Sequence, residues 1–318
     1  MSRALVTGAS GFVGRALTST LINRGFNVRT ARRRLSSSLD SRAEQIEIDD
    51  LLGRQNWVPA LTGVEVVFHL AARAHQIQEK SSELESTYRR INCDATLELA
   101  RAAATLGCRR FVFLSSVKVN GECTAERPFS PSDVPLPLDV YGRSKHAAEQ
   151  GLWEISRLTG LEVVVVRAPL VYGPGVRANF LRLMKIVDQG VPLPFALLKN
   201  QRSLVYLGNL VDALCLAATH KGAEGRTYLV SDGEDVSTPD LVRKIATALG
   251  RTPKILPCPR WLLSLTGFAI GNPALISRLT DSLQVDSGAI RGELGWRPPY
   301  SLSDGLRETA KWYLALTR

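Results

Sequence analysis

Tyr141 and Lys145 have the clearest chemical use in this chain of 318 residues, because they stand four positions apart in a stretch of helical spacing. That separation puts both side chains on one face of a helix. A free tyrosine, with a pKa of about 10, is a poor acid or base at neutral pH, and a nearby ammonium favours the phenolate and lowers that pKa. Ser116 ends a predicted strand and can hydrogen-bond a substrate oxygen on which charge changes. We therefore predict that Ser116, Tyr141 and Lys145 are catalytic.

A glycine-rich turn near the start of the chain predicts a site for the phosphates of a dinucleotide. Gly8, Gly11 and Gly14 lie between a short apolar run, which is typical of a buried strand, and a stretch of helical spacing. Gly8 permits a tight turn, Gly11 lets the pyrophosphate approach, and Gly14 lets helix and strand pack closely. Phe12 and Val13 begin the helix, whose free N–H groups attract phosphate. Tyr141 and Lys145 could also be a simple surface pair on a helix. The glycine turn makes that interpretation weaker than a catalytic role.

The end of the second predicted strand indicates which dinucleotide is bound. Dinucleotide folds normally place an acidic residue there, which holds the adenosine ribose, whereas this chain has Arg32 and Arg33. Guanidinium groups suit a ribose 2′-phosphate. The sequence therefore predicts NADP(H), with NAD(H) as the alternative if these arginines form only a solvated basic loop.

The remaining predicted cofactor residues follow the third and fourth strands. A carboxylate after the third strand can meet the adenine amino group, and small residues after the fourth let the cofactor backbone lie close. These residues are Asp50, Leu51, Leu70, Ala71 and Ala72.

The order of strands and helices predicts an α/β chain: a Rossmann doubly wound parallel sheet with a smaller α/β C-terminal substrate lobe. We assign residues 1–170 to the NADP-binding domain, with a returning segment at about 203–220. The substrate-binding lobe is expected in 173–200 and 224–318.

Over essentially its whole length the chain resembles the extended short-chain dehydrogenases/reductases, in their nucleotide-sugar epimerase/dehydratase branch. The resemblance implies that Lys145 also holds the nicotinamide ribose. It further implies a homodimer that pairs through two long helices, here 83–104 and 140–159. The motifs that carry the resemblance are Thr7 to Gly14, His69 to Ala72, Asn92, the Ser116–Tyr141–Lys145 set, Arg167 to Pro174 and Leu294 to Pro298.

Two departures from the family pattern narrow the expected reaction. Sugar dehydratases of this family place an acidic pair where this chain has Val117 and Lys118, so elimination lacks its acid/base. That leaves 4-epimerisation or ketone reduction. Epimerases usually carry asparagine where this chain has Leu170, which favours a less polar sugar.

The resemblance is greatest to the UDP-4-keto-6-deoxy-N-acetylhexosamine 4-reductases of bacterial O-antigen synthesis, notably in 200–205, 209–212 and 282–286. It implies an NADPH-dependent reduction of the 4-keto group of a nucleotide-activated 6-deoxy sugar. One alternative is an NAD-dependent UDP-hexose 4-epimerase, and another is a non-catalytic dinucleotide-binding member of the fold.

Substrate residues follow from the same resemblance. Asn179 corresponds to a position near the diphosphate, and Phe195 lies where the family holds uracil along an extended backbone. Arg202 and Arg278 are expected on the diphosphate, because planar guanidinium groups bind paired oxyanions well. The other interpretation of each arginine is a surface salt bridge. Ser116 also contacts the sugar in this scheme.

Composition favours an enzyme with anionic ligands over a nucleic-acid-binding protein. The formal net charge is +10. The basic residues are dispersed and not interleaved with aromatic residues, so we predict no nucleic-acid partner. Five cysteines and four histidines show no ligand spacing, which predicts no metal site and fits a reduced, cytoplasmic location. His69 is expected to be structural.

The apolar segment 261–276 is too short to span a bilayer and is interrupted by Asn272 and Pro273. We expect it to pack on the substrate lobe. Docking to a membrane, or to a membrane-bound glycosyltransferase, is the lesser alternative.

Overall fold

The computed structural model describes residues 2–33, 40–49, 55–74, 81–259, 262–263, 277 and 279–317. Three predicted site residues, Asp50, Leu51 and Arg278, lie outside the described residues, as does most of the apolar segment 261–276.

The strands form two parallel sheets. In chain order they are β1 (Arg3–Thr7), β2 (Asn27–Arg32), β3 (Glu44–Glu47), β4 (Val66–His69), β5 (Arg110–Ser116), β6 (Glu162–Ala168), β7 (Leu170–Tyr172), β8 (Leu204–Tyr206) and β9 (Arg226–Leu229). The larger sheet has seven strands in the order β3-β2-β1-β4-β5-β6-β9, and β7 pairs with β8 in a small second sheet. All paired strands are parallel, which confirms the predicted Rossmann-like α/β fold.

The helices cover the large sheet and build the C-terminal part. They are α1 (Phe12–Asn23), α2 (Val58–Leu61), α3 (Ser81–Arg89), α4 (Ala95–Thr105), α5 (Val140–Thr159), α6 (Ala178–Asp188), α7 (Leu207–Thr219), α8 (Thr238–Leu249), α9 (Gly288–Leu294) and α10 (Leu302–Thr317), with a π-helix at Arg90–Asp94 and 3-10 turns at Val117–Val119 and Lys221–Ala223. No helix among these described residues is both long enough and apolar enough to cross a membrane.

The sheet is buried on both faces. Consecutive valines of β6, Val163 to Val166, have no exposed surface, as expected for a parallel strand covered on each side by helices. Leu17 of α1 and Leu214 of α7 belong to the hydrophobic cluster on one face. Leu99 of α4 and Leu152 of α5 belong to the cluster on the other.

A separate hydrophobic cluster joins α6, α8 and α10 through residues such as Met184, Ile245 and Leu306. β9 follows residue 224 and yet pairs with β6 in the large sheet, so this part of the chain does not belong to the predicted lobe. The division into two lobes otherwise stays a prediction.

The strand order reverses between β1 and β4, which are neighbours in the sheet. In open α/β sheets, ligands bind outside the carboxyl ends of the strands at such a switch point. The fold therefore places the glycine turn after β1, the residues after β4, and the end of β5 along one edge.

Candidate active site

The glycine turn after β1 has no room for side chains at two positions. Gly8 has a φ of +69°, and a Cβ added to it would lie 2.7 Å from the Ala71 nitrogen. A Cβ added to Gly14 would lie 2.2 Å from the Gly8 carbonyl oxygen. Strand, turn and helix are therefore in backbone contact, as the sequence predicted.

The N-cap residue of α1 is Gly11, which has no side chain to bond the free N–H groups of the first turn. That turn also contains no acidic residue. The N-terminus of α1 thus presents its N–H groups and positive dipole end to an anion. The residues present fit the pyrophosphate of a dinucleotide, and Gly8, Gly11, Phe12, Val13 and Gly14 are the residues predicted to hold it. Leu70, Ala71 and Ala72 directly follow β4, and the backbone of Leu70 and Ala71 lies against Gly8.

His69 lies beneath this turn in a chain of hydrogen bonds. Its Nδ1 is 2.7 Å from Thr7 Oγ1 and its Nε2 is 2.8 Å from Thr96 Oγ1. Thr96 donates its proton to the carbonyl oxygen of Asn92, so we assign the Nε2–H tautomer to His69. Burial, with a smaller effect of Lys145, lowers the pKa of His69 to about 3. The imidazole is neutral and structural, as expected.

Two of the predicted catalytic residues, Ser116 and Tyr141, belong to elements that pack together where α5 begins. Ser116 ends β5, and its Oγ accepts a hydrogen bond of 3.3 Å from the Lys118 nitrogen. A Cβ added to Gly142 would lie 2.8 Å from the Lys118 carbonyl oxygen, so the first turn of α5 packs directly on the turn that follows Ser116. Tyr141 belongs to that first turn.

Three hydrogen bonds fix the start of α5. Asp139 caps the helix by accepting a bond of 2.7 Å from the Gly142 nitrogen. Ser144 Oγ donates to the Tyr141 carbonyl oxygen and accepts from Asn92 Nδ2 at 3.0 Å. Asn92 also exchanges two bonds with the backbone of Arg73, which follows β4. The buried asparagine therefore ties α5 to the loop after β4.

The pKa values at this site differ from the sequence-based expectation. Burial lowers the pKa of Lys145 to about 7, while Glu149 acts to raise it. Burial, then Asp139 and Tyr88, raises the pKa of Tyr141 above its usual value. The expectation that the pKa of Tyr141 is lowered is wrong, because burial is the largest effect on this phenol and raises its pKa. Tyr141 keeps its proton at neutral pH.

Lys118 holds two carboxylates that the sequence did not single out. Its Nζ forms ion pairs with Asp139 and with Glu122, the latter at 3.2 Å. Val117 packs in a hydrophobic cluster with Leu229. The two positions that hold an acid pair in dehydratases are thus occupied by a core residue and by a cation that neutralises neighbouring carboxylates.

The other predicted residues have varied surroundings. Arg32 ends β2, is partly exposed and donates from Nη1 to Gln45 Oε1 at 3.1 Å, while Arg33 is exposed. Asn179 is exposed in the first turn of α6. Phe195 is 7% exposed and packs in the cluster of α6, α8 and α10.

Arg202 lies in an extended segment that bridges Val236 and Leu283, and its Nη1 donates to the Asp281 carbonyl oxygen at 2.9 Å. Its predicted contact with a diphosphate stays a prediction, as do the substrate roles of Asn179 and Phe195.

Proteins and structures of known description resemble the chain over nearly its full length. A Vibrio cholerae protein described as UDP-glucose 4-epimerase is 41% identical over 313 residues, covering 98% of this chain and 95% of that protein. An Escherichia coli O157:H7 protein described as N-acetyl-alpha-D-glucosaminyl-diphospho-ditrans,octacis-undecaprenol 4-epimerase is 27% identical over 97% of this chain and 94% of that protein. The structure of MoeE5 in complex with UDP-glucose and NAD superposes with a TM-score of 0.79 at 28% identity, covering 100% of both chains.

The parallel sheet and the glycine turn are those of a dinucleotide-binding enzyme of the short-chain dehydrogenase/reductase superfamily. Residues 4–231 match the profile of one family within it, and the chain belongs to that NAD dependent epimerase/dehydratase family. The predicted family is confirmed.

Proposed function

We propose that this chain is an NADPH-dependent ketoreductase that acts on the 4-keto group of a nucleotide-activated 6-deoxy sugar. UDP-4-keto-6-deoxy-N-acetylglucosamine, an intermediate suited to surface polysaccharide synthesis, is the substrate we would test first. The observation that carries the proposal is the turn after Ser116, which packs on the first turn of α5 beside Tyr141. In that turn Val117 is buried and the Lys118 Nζ pairs with Asp139 and Glu122.

The chain's own residues suit proton donation to a reduced carbonyl. The bound dinucleotide supplies the hydride. Ser116 orients the substrate oxygen, and Tyr141 gives it a proton as negative charge develops there. Lys145 stabilises the phenolate that remains and holds the nicotinamide ribose. Elimination of water has no acid/base in this scheme, since Val117 is buried and Lys118 is ion-paired.

Arg32 supports NADPH over NADH, because it ends β2 where the adenosine ribose is held in this fold. A partly exposed guanidinium can form a bidentate contact with a 2′-phosphate. NAD(H) remains the alternative, since the neighbouring MoeE5 structure contains NAD.

A second candidate is a 4-epimerase of UDP-hexoses. It is favoured by the description of the Vibrio cholerae relative, which is 41% identical. An epimerase removes and returns a hydride at one carbon, so the same Tyr141 would act as base and then as acid, while the dinucleotide stays bound and needs no replenishment.

The test is NADPH consumption with UDP-4-keto-6-deoxy-N-acetylglucosamine generated by a dehydratase, compared with NADH. Consumption that prefers NADPH supports the proposal. Interconversion of UDP-N-acetylglucosamine and UDP-N-acetylgalactosamine without added NADPH would instead establish the epimerase. Tyr141→Phe is the control: we expect it to lose at least about 100-fold in turnover, while NADPH affinity stays within about twofold of the parent. Full activity in this variant would remove Tyr141 from the mechanism.

A further inference from the structure

A buried ion pair lies one helical turn beyond Lys145. Glu149 of α5 is 2% exposed, and both of its carboxylate oxygens are bound. Oε1 accepts from Arg167 Nε at 3.1 Å and from Ser115 Oγ at 2.5 Å, and Oε2 accepts from Arg167 Nη2 at 2.6 Å. Arg167 also donates from Nη1 to Asn120 Oδ1 at 3.0 Å. The pair is bidentate and nearly saturated with hydrogen bonds, which such a buried pair requires.

Lys145, one turn earlier on α5, has different contacts from those of Glu149. It is 1% exposed, and its Nζ lies 3.8 Å from the centroid of the Phe113 ring. Among the described residues, none accepts a hydrogen bond from this Nζ or forms an ion pair with it. The ammonium is thus held by an aromatic face. Its N–H groups stay available for ligands.

The charged and titratable groups around Lys145 come from three elements. Tyr141 and Glu149 lie on its own helix, one turn to either side. His69 faces it from β4 and is neutral. Arg167 reaches from β6 to Glu149. Of these groups, Glu149 is the one that favours the charged form of the lysine, although Arg167 and Ser115 occupy its oxygens.

We propose that Glu149 is a positioning residue for Lys145: Arg167 and Ser115 hold its carboxylate one turn away, where it stabilises the ammonium through space without binding its N–H groups. The same contacts fix α5 against the ends of β5 and β6. The proposal rests on the proposed function only in that Lys145 serves the reaction; the electrostatic role itself is open to direct measurement.

Opposite substitutions should move the titration of Lys145 in opposite directions. Glu149→Gln removes the carboxylate, so we expect the Lys145 pKa to fall by about one unit from its value near 7. Arg167→Met frees the carboxylate to turn toward Lys145, so the pKa should rise and NADPH affinity should fall as the N–H groups become occupied. A residue that only supported the fold would not produce shifts of opposite sign.

The measurement is an NMR titration of the protein with isotope-labelled lysine, in which Lys145→Met assigns the signal. The basic limb of the kcat/KM profile is followed in parallel. Because each single variant leaves a buried charge without its partner, the double variant Glu149→Gln/Arg167→Met is included, and it should fold and still show the lowered pKa.

A matched control exists on the same two strands. Arg110 begins β5, is 1% exposed and pairs with Glu162 of β6 at 2.6 Å, at the opposite end from the site. Glu162→Gln should lower stability without moving the Lys145 titration.

A double variant that folds and titrates like the parent would overturn the proposal, as would an equal shift in Glu162→Gln. If Lys145 shifts as expected but the parent reduces no ketosugar, the positioning role stands and the proposed function fails. The two failures are therefore distinguishable.

Discussion

Replacing Gly14 by alanine tests the phosphate site most directly, because the clash is with backbone and cannot be relieved by a side chain. The added methyl would lie 2.2 Å from the Gly8 carbonyl oxygen and 2.7 Å from the Ala9 Cα. Ordinary contact begins at 3.4 Å, so α1 must retreat from the turn by about 1 Å. Overpacking of this kind costs about 1–3 kcal/mol of unfolding free energy.

The same displacement should weaken dinucleotide binding. A hydrogen bond to a charged group contributes about 1.5–3 kcal/mol, and a shift of about 1 Å at the start of α1 spoils the alignment of its N–H groups with the phosphates. A loss of about 2 kcal/mol corresponds to roughly a 30-fold rise in Kd. Urea denaturation without ligand gives the stability, and a titration with NADPH or NADH gives the Kd.

Gly25→Ala is the matched control. Gly25 follows α1, has a φ of +84° and has open space around it, so alanine costs about 1 kcal/mol through backbone strain alone. Its stability should fall while its dinucleotide affinity is unchanged. If Gly14→Ala bound the dinucleotide as tightly as the parent, or no more weakly than Gly25→Ala, the packing argument for the glycine turn would be refuted.

Three further predictions concern single side chains. Arg32→Ser should lower the preference for NADPH over NADH by at least about tenfold, measured as the ratio of kcat/KM values, because a charge-assisted contact with the 2′-phosphate is lost; an unchanged ratio would show that Arg32 does not contact it. Asp139→Asn keeps a residue that can cap the helix, so the free energy of unfolding should fall by less than about 1 kcal/mol. It also removes a charge that raises the pKa of Tyr141, so the limb of the kcat/KM pH profile assigned to Tyr141 should move to lower pH. His69 has its pKa lowered from 6.5 to about 3 by burial, so the unfolded chain binds the extra proton and stability should fall as pH falls from 6.5 toward 3; His69→Gln should lose this part of the pH dependence in urea denaturation.

The sequence was a reliable guide where local signals determine the structure. The predicted helix 140–159 has the observed bounds of α5, because Asp139 caps its start and Gly160 ends it in the left-handed conformation. The glycine turn could also be predicted from the sequence, because a turn of this kind between strand and helix needs glycine at fixed positions.

Features that depend on contacts between distant parts of the chain could not be predicted from the sequence. The predicted helix 83–104 is interrupted by a π-helix, which the sequence does not signal, and this irregular turn contains Asn92. Nor does the sequence show that Glu149 pairs with Arg167, since the contact exists only once β6 lies beside β5. The same holds for the raised pKa of Tyr141, which follows from burial.

The surroundings of Tyr141 bear on its proposed role as a proton donor. Burial is the largest cause of the raised pKa of Tyr141, and the carboxylate of Asp139, which caps α5, raises it further. In such a desolvated setting the phenolate is disfavoured, so we expect the phenol to give up its proton only as negative charge develops on a nearby oxygen. Reduction of a carbonyl creates that charge, whereas oxidation of an alcohol requires the phenolate beforehand. The raised pKa of Tyr141 therefore agrees with its proposed role as an acid in ketone reduction, and it agrees equally with the protonation step of a 4-epimerase.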